Sequence, residues 1–260
     1  MEKPFLQILL LQYDPVWEDK EANQTKILNL IHHAQVPTDL IILPEMTLTG
    51  FSMNVEALAE DEKGPTCLFF SKLAYKYNTH LIIGLIRKFE GKIYNSLLHF
   101  DREGKIVAEY RKIHLFGLAD ENKNYSAGSD PVMTDICGWK TGLSICYDLR
   151  FPELYRYYGK QKADLMVNIA NWPVPRVHHW KHLAPARSIE NLCYTVACNR
   201  MGNDPYVAYD GSSMVCAPTG EVIDCQTITD ETLYYTINKQ QIEMAREKFP
   251  FLEDMVLVKE

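Results

Sequence analysis

The chain reads as a mixed α/β protein, and three observations carry that reading. Apolar runs of strand length recur along it. Helix-period segments separate some of them, and tight turn signals at Glu90-Gly91, Asp101 to Gly104 and Cys137-Gly138 separate others. Helical crossovers join parallel strands and tight turns join antiparallel ones, so the two together predict mixed sheets with helices over their outer faces.

Phe5–Leu11 opens the chain as a β-rich apolar run. Residues 14–34 place Ala22, Ile27, Leu28, Ile31 and Ala34 near a 3.6 period, which predicts an amphipathic helix. Residues 40–43 are continuously apolar, as in a strand buried on both faces. Gly64-Pro65 starts a helix over 66–77, and residues 80–86 are strand-like again. The turns at 90–91 and 101–104 then divide three successive strands at short spacing, an antiparallel meander. Cys137-Gly138 makes a hairpin of residues 131–136 and Trp139–Ile145. A helix from Pro152, a strand at 164–169 and a helix over Val177–Asn191 follow; Pro185 should kink that helix or mark its true first turn. Strands at 193–199, 212–216, 221–225 and 232–237 lead to a closing helix at 239–248. Periodicity does not separate one large mixed sheet from two stacked ones.

The 260 residues show no composition break, Ser/Gly linker or repeat, so one domain over 1–260 is expected, and 47% hydrophobic content is ample for its core. A net charge of -7 argues against nucleic acid, whose binding relies on Lys and Arg against phosphate. A small anionic ligand is compatible with it, because two local cations outweigh a mildly acidic surface. No apolar stretch nears the roughly 18 residues that span a bilayer, so no membrane is expected as a partner. Met1 to Leu11 is too short and strand-like for a secretory signal. Seven cysteines without paired spacing read as free thiols in a reducing, cytoplasmic setting.

Three segments carry the chemistry. In Gly142 to Glu153 an apolar run stops abruptly at Cys146, and Tyr147-Asp148 and a Pro152-Glu153 helix start follow. A strand that delivers a thiol to a sharp turn exposes it at the sheet edge and aims the Tyr147 N–H at whatever the sulfur attacks. Leu40 to Glu45 ends a second run in a carboxylate, before a turn at Gly50-Phe51. Lys105 to Phe116 alternates apolar and polar residues and delivers Lys112 where the alternation ends. Singly, these residues are a core thiol, a loop acid and a surface lysine. Together, an acid, a lysine and a thiol at three strand ends are how open α/β sheets gather a site from distant parts of the chain.

With these segments the chain resembles the nitrilase superfamily of carbon–nitrogen hydrolases, in which a Glu-Lys-Cys triad acts on amides or nitriles. The matching pieces are Leu43-Pro44-Glu45, Tyr110 to Leu115, Cys146 to Glu153 with its arginine and proline, Ala186 to Asn191, Gly211 to Met214 and Ala217 to Glu221. The likeness spans residues 5 to 245. It implies a four-layer α-β-β-α sandwich of two mixed sheets covered by helices, no cofactor, and a homodimer in which helices of the two subunits pack together. The segments 153–158 and Val177–Asn191 are the candidates for that face. It further implies Glu45, Lys112 and Cys146 as catalytic residues. A second glutamate in the loop after the lysine falls at Glu121, with Asp120 as its competitor.

Within the superfamily, Ile169 to Arg176 followed by His178-His179-Trp180, with Cys198 to Gly202, looks most like the omega-amidase branch. That branch hydrolyses the terminal amide of 2-oxoglutaramate and 2-oxosuccinamate. A substrate of that kind needs a cation; Arg176 and Arg150 are nearest in sequence, and Phe116 and Trp172 are possible apolar walls. Arg150, inside the cysteine motif, also suits a structural ion pair with Glu153.

An amide needs a strong nucleophile, a proton for the departing nitrogen and a site for the oxyanion. Cys146 would supply the first, Glu45 the proton, and Lys112 with the Tyr147 N–H the third. Two carboxylates near a thiol repel a forming thiolate, each worth about 4 kcal/mol at ~4 Å in an effective dielectric near 20, and one lysine offsets about one of them. A neutral resting thiol beside an ionised Glu45 is therefore expected. His178 and His182 stand at i, i+4 on a helix, the spacing zinc helices use, but no third ligand cluster accompanies them. A pocket-wall role is the expectation there, with no metal. His114 suggests a Cys–His protease, without an orienting partner visible in sequence. The sharper rivals are nitrilase and N-carbamoylase activities, which share the triad; a non-enzymatic scaffold would not need it intact.

Overall fold

The computed structural model describes residues 3–256. In chain order its elements are β1 (Phe5–Leu11), α1 (Lys20–Ala34), β2 (Leu40–Ile42), α2 (Val55–Leu58), α3 (Pro65–Tyr77), β3 (His80–Phe89), β4 (Lys92–Phe100) and β5 (Ile106–Arg111). Then come α4 (Glu121–Asn124), β6 (Met133–Ile136), β7 (Trp139–Ile145), α5 (Pro152–Lys160), β8 (Leu165–Ala170), α6 (Val177–Asn191) and β9 (Tyr194–Asn199). A short hairpin of β10 (Met201–Asn203) and β11 (Ala208–Asp210) precedes β12 (Met214–Cys216), β13 (Gln226–Thr229), β14 (Thr232–Asn238) and α7 (Gln240–Lys248).

The strands form a seven-stranded sheet, ordered β13-β14-β1-β2-β3-β4-β5, and a five-stranded sheet, ordered β12-β9-β8-β7-β6. Both are mixed: β1-β2-β3 and β7-β8-β9 pair in parallel, and the flanking strands pair antiparallel. Alternation along each strand decides which layer a residue joins. Leu6, Ile8 and Leu10 of β1, with Leu40 and Ile42 of β2, join the cluster that holds Leu143, Ile145, Val167 and Ile169 of the second sheet. Leu9 and Leu11, with Ile41 and Ile83, pack instead with Ile27 and Ile31 of α1 and Phe70 and Leu73 of α3. On the far side, α5 and α6 add Tyr155, Tyr158, Trp180 and Ala184 to the core. The layers are helix, sheet, sheet, helix, the sandwich that the family resemblance implies.

Several boundaries differ. The first helix begins at Lys20 rather than residue 14, because Asp19 caps it by accepting the Ala22 N–H at 3.0 Å. No strand forms at 221–225; that stretch makes only one bridge, Cys216 with Val222, and pairing resumes in β13. α6 runs through Pro185, which therefore does not mark a first turn. The β10–β11 hairpin was not expected: each of its strands has three residues, too few for an alternation to show.

Candidate active site

Glu45, Lys112 and Cys146 come together where the two sheets meet, each beyond the C-terminal end of a strand: β2, β5 and β7 respectively. Local backbone explains how each is delivered. After Glu45 the chain turns through Met46 at φ 47°, packed so close to β3 that a Cβ at Gly84 would lie 2.3 Å from the Met46 nitrogen. Only glycine fits there. The Thr47 hydroxyl accepts the Gly84 N–H (2.9 Å), which fastens the acid's turn to the sheet. Cys146 itself has φ 45°, a left-handed conformation costly for a residue with a Cβ, and opens a tight 3-10 turn over Cys146–Arg150. The first N–H groups of such a turn have no partner within it, and Tyr147 carries one of them.

Lys112 is wholly buried. Its Nζ lies 2.8 Å from Glu45 Oε1 and 2.9 and 3.0 Å from the two oxygens of Glu121. Glu121 is thus the second carboxylate of the site. Asp120 lines the cleft but pairs with Lys123 at the surface rather than with Lys112. Two amides missed in the sequence complete the shell. Asn95, fully buried on β4, donates both Nδ2 hydrogens, to Glu45 Oε1 (2.7 Å) and to Glu121 Oε1 (2.8 Å). Asn171, beyond β8, donates its backbone N–H to Glu45 Oε2 (2.9 Å) and its side-chain amide to the Glu45 carbonyl (2.8 Å) and Oε2 (3.2 Å). The Phe116 N–H holds Glu121 Oε2 at 2.6 Å. The polar pair Asn95-Ser96 between apolar residues of β4 was the one signal for Asn95.

These contacts set the charges. Burial pushes the Glu45 carboxyl up, but the Lys112 ammonium and the Asn95 and Asn171 donors outweigh it and hold it below its ordinary value. Burial opposes the charge on Lys112, and the Glu121 and Glu45 carboxylates overcome that, holding it well above the ordinary lysine value. Burial and then the Glu45 carboxylate push the Cys146 thiol well above its ordinary value, against the pull of Lys112. The resting state is a neutral thiol beside an ionised carboxylate. Cys146 Sγ lies 4.0 Å from the Asn171 carbonyl, its hydrogen-bond acceptor.

The thiol opens into a cleft of about 670 Å³ whose walls include Phe116, Tyr147, Trp172, Arg150 and Arg176, with Trp17 and Tyr206 opposite. The Arg150 guanidinium stands 4.8 Å from the Trp172 ring and 3.0 Å from His179 Nδ1; that of Arg176 stands 5.2 Å from the Phe116 ring. Among the described residues no carboxylate pairs with either, so the ion pair of Arg150 with Glu153 does not form. His179 shapes the wall through Arg150, and His182 Nδ1 meets the His178 carbonyl (2.6 Å). His114 does have an orienting partner, Asp148 at 2.7 Å, while the charged groups acting on the thiol are Glu45, Lys112 and Glu121.

The carbon–nitrogen hydrolase family model matches residues 8–247. The chain is 34% identical to the 2-oxoglutaramate amidase of Bacillus subtilis, over 95% of this chain and 96% of that one. It is 35% identical to the omega-amidase YafV of Escherichia coli, over 96% and 97%. Among solved structures, a carbon–nitrogen hydrolase superfamily protein of Xanthomonas campestris, carrying an arsenic adduct in its active site, superposes with a TM-score of 0.91 at 32% identity, covering 98% of this chain and 99% of that one. Matched over nearly its whole length, the chain belongs to the carbon–nitrogen hydrolases of the nitrilase superfamily and is a hydrolase of carbon–nitrogen bonds.

Proposed function

We propose that the protein hydrolyses the terminal amide of small 2-oxo dicarboxylic acid monoamides, 2-oxoglutaramate and 2-oxosuccinamate, to the acid and ammonia through a Cys146 thioester. The observation that carries this reading is a thiol sharing one cleft with two guanidiniums, Arg150 and Arg176, neither of which forms an ion pair with a carboxylate among the described residues, although Glu18, Asp120 and Asp204 also line the cleft. An acid group at the far end of a short amide would supply the missing anion, with Phe116 and Trp172 flanking its methylenes. The Bacillus subtilis relative, a 2-oxoglutaramate amidase, and the Escherichia coli omega-amidase support a substrate of this class.

In this mechanism Glu45 takes the thiol proton as sulfur attacks the amide carbon. The carbonyl oxygen gains charge against Lys112 Nζ and the Tyr147 N–H. Collapse of the tetrahedral adduct breaks the carbon–nitrogen bond, and the proton on Glu45 passes to the departing ammonia. Glu45 then takes a proton from water as its oxygen attacks the thioester carbon; the carbon–sulfur bond breaks, the acid leaves, and the proton on Glu45 returns to the sulfur to restore the thiol. Glu121 holds Lys112 in place throughout. No cofactor or metal has a role. The protein works in the cytoplasm as a homodimer through the α5–α6 face, where Tyr157 and Ile189 are exposed apolar side chains; a single monomer mass by light scattering would refute the dimer.

The test is a panel of 2-oxoglutaramate, 2-oxosuccinamate, acetamide, an aliphatic nitrile and an N-carbamoyl amino acid, followed by ammonia and carbon dioxide release. The two oxo acid amides should be hydrolysed fastest, and Cys146→Ala should abolish turnover with the fold intact. Faster nitrile consumption or carbon dioxide release would replace this reading with a nitrilase or an N-carbamoylase. No iodoacetamide-sensitive turnover of any member would leave a scaffold.

A further inference from the structure

One buried carboxylate grips the chain on both sides of two reacting groups. Asp148, 0% exposed, has four hydrogen-bond donors around it. Its Oδ2 accepts the Ile145 N–H (2.9 Å) and the Tyr110 hydroxyl (2.7 Å); its Oδ1 accepts the His114 N–H (3.0 Å) and His114 Nδ1–H (2.7 Å). Tyr110 and His114 stand two residues before and two after Lys112. Ile145 stands one before Cys146, and Asp148 itself two after it. The first pair belongs to the segment leaving β5 of the seven-stranded sheet, the second to the turn leaving β7 of the five-stranded sheet.

We infer that Asp148 is a positioning residue for the reaction: it staples the Lys112 segment to the Cys146 turn across the two sheets, and so fixes where the oxyanion cation stands relative to the attacking sulfur. The inference rests on the reading of Cys146 and Lys112 given above. The thiol turn needs such a staple because Cys146 occupies the left-handed region, which a chain leaves when nothing holds it there. Other contacts brace the same staple. The guanidinium of Arg187, 5% exposed, holds the Leu149 carbonyl from the opposite side through Nε (3.1 Å) and Nη2 (2.7 Å). The His114 ring lies flat on Phe151, centroids 3.8 Å apart, so its Nδ1–H stays aimed at Asp148. A carboxylate accepts at all four of these positions, whereas an amide turns one oxygen into a donor facing donors.

A displacement of about 1 Å between reacting groups costs on the order of 10²-fold in rate. Asp148→Asn, Tyr110→Phe and the double variant are assayed on 2-oxoglutaramate at a temperature where circular dichroism shows each fully folded. Asp148→Asn is expected to lower kcat by roughly 10²-fold with KM within about threefold of native, because Arg176 lies outside the stapled turn and the guanidinium of Arg150, at the turn's end, is held separately by His179. Tyr110→Phe, which removes a single hydroxyl, should lower kcat about fivefold. The double variant should lie within about twofold of Asp148→Asn alone, since both changes break the same link. A merely structural role would lower the melting temperature and leave kcat native. Near-native kcat in either single variant, a loss carried by KM, or two effects that multiply independently would overturn the inference. A native protein that turns over no amide would sink the thioester reading and this inference with it, and is distinguished by its native-protein control.

Discussion

Replacing Lys112 by methionine removes the only cation, among the described residues, that touches the buried carboxylates Glu45 and Glu121. The side chains of Lys112, Glu45 and Glu121 are all 0% exposed, and the ammonium sits 2.8 and 2.9 Å from them. Deleting one partner of such a buried pair costs about 3–5 kcal/mol, a large part of the roughly 5–15 kcal/mol that holds a domain folded. The sign of its pH dependence follows. In the native protein Glu45 is held below its ordinary value, so it contributes stability above pH 4.5, lost only as pH falls through the lowered value. In Lys112→Met burial prevails and the Glu45 carboxyl rises above its ordinary value. It then costs stability at pH 7, and that cost disappears as pH falls through the raised value. Urea unfolding followed by tryptophan fluorescence at pH 7 and pH 5 should therefore show a deficit against the native protein that narrows at the lower pH. On the folded baseline kcat should fall by about two or more orders of magnitude. Near-native kcat would refute the oxyanion role, and a deficit unchanged between the two pH values would refute the electrostatic coupling.

Further outcomes follow from the same geometry. Asn95→Leu removes the donor shared by Glu45 and Glu121; kcat should drop about tenfold and the acidic limb of its pH profile should move upward, where an unmoved limb would contradict the assigned link. Arg176→Leu and Arg150→Leu should raise KM for 2-oxoglutaramate about tenfold or more with little change for a neutral amide such as propionamide, and equal effects on both substrates would contradict carboxylate binding. The native kcat profile should be flat between about pH 6 and 8, because Glu45 titrates below and the Cys146 thiol well above their ordinary values; an inflection near pH 6.5 would point to a histidine instead.

The triad was legible because strand periodicity breaks at each of its members. Glu45 ends a continuous apolar run, Cys146 ends a strand-like stretch of mostly apolar residues, and Lys112 ends an alternating one, so their positions at one edge of the sheets follow from the pattern. Glu121 was named with Asp120 as its competitor, since neighbouring acids in one loop differ only in which face they present. Asn95 and Asn171 escaped because a neutral amide carries no charge pattern; what gives them meaning is a pair of carboxylates supplied from other strands. Arg150 was assigned to Glu153 on proximity along the chain, yet the turn over Cys146–Arg150 directs it to Trp172 and His179. The sheet pairing was out of reach for a similar reason. Register between strands distant in sequence depends on which faces bury together, and residues 221–225 look strand-like alone but meet β12 only at the Cys216–Val222 bridge.

The central claim is that the thiol of Cys146 becomes covalently bonded to the acyl carbon during turnover. Acid-quenching the native enzyme within milliseconds of mixing with 2-oxoglutaramate, followed by intact-protein and peptide mass spectrometry, reads this directly. The account predicts one acyl adduct, on the peptide containing Cys146, that decays as ammonia release reaches its steady rate. Sustained ammonia release with an unmodified Cys146 peptide at every quench time, and turnover that survives Cys146→Ala, would contradict it.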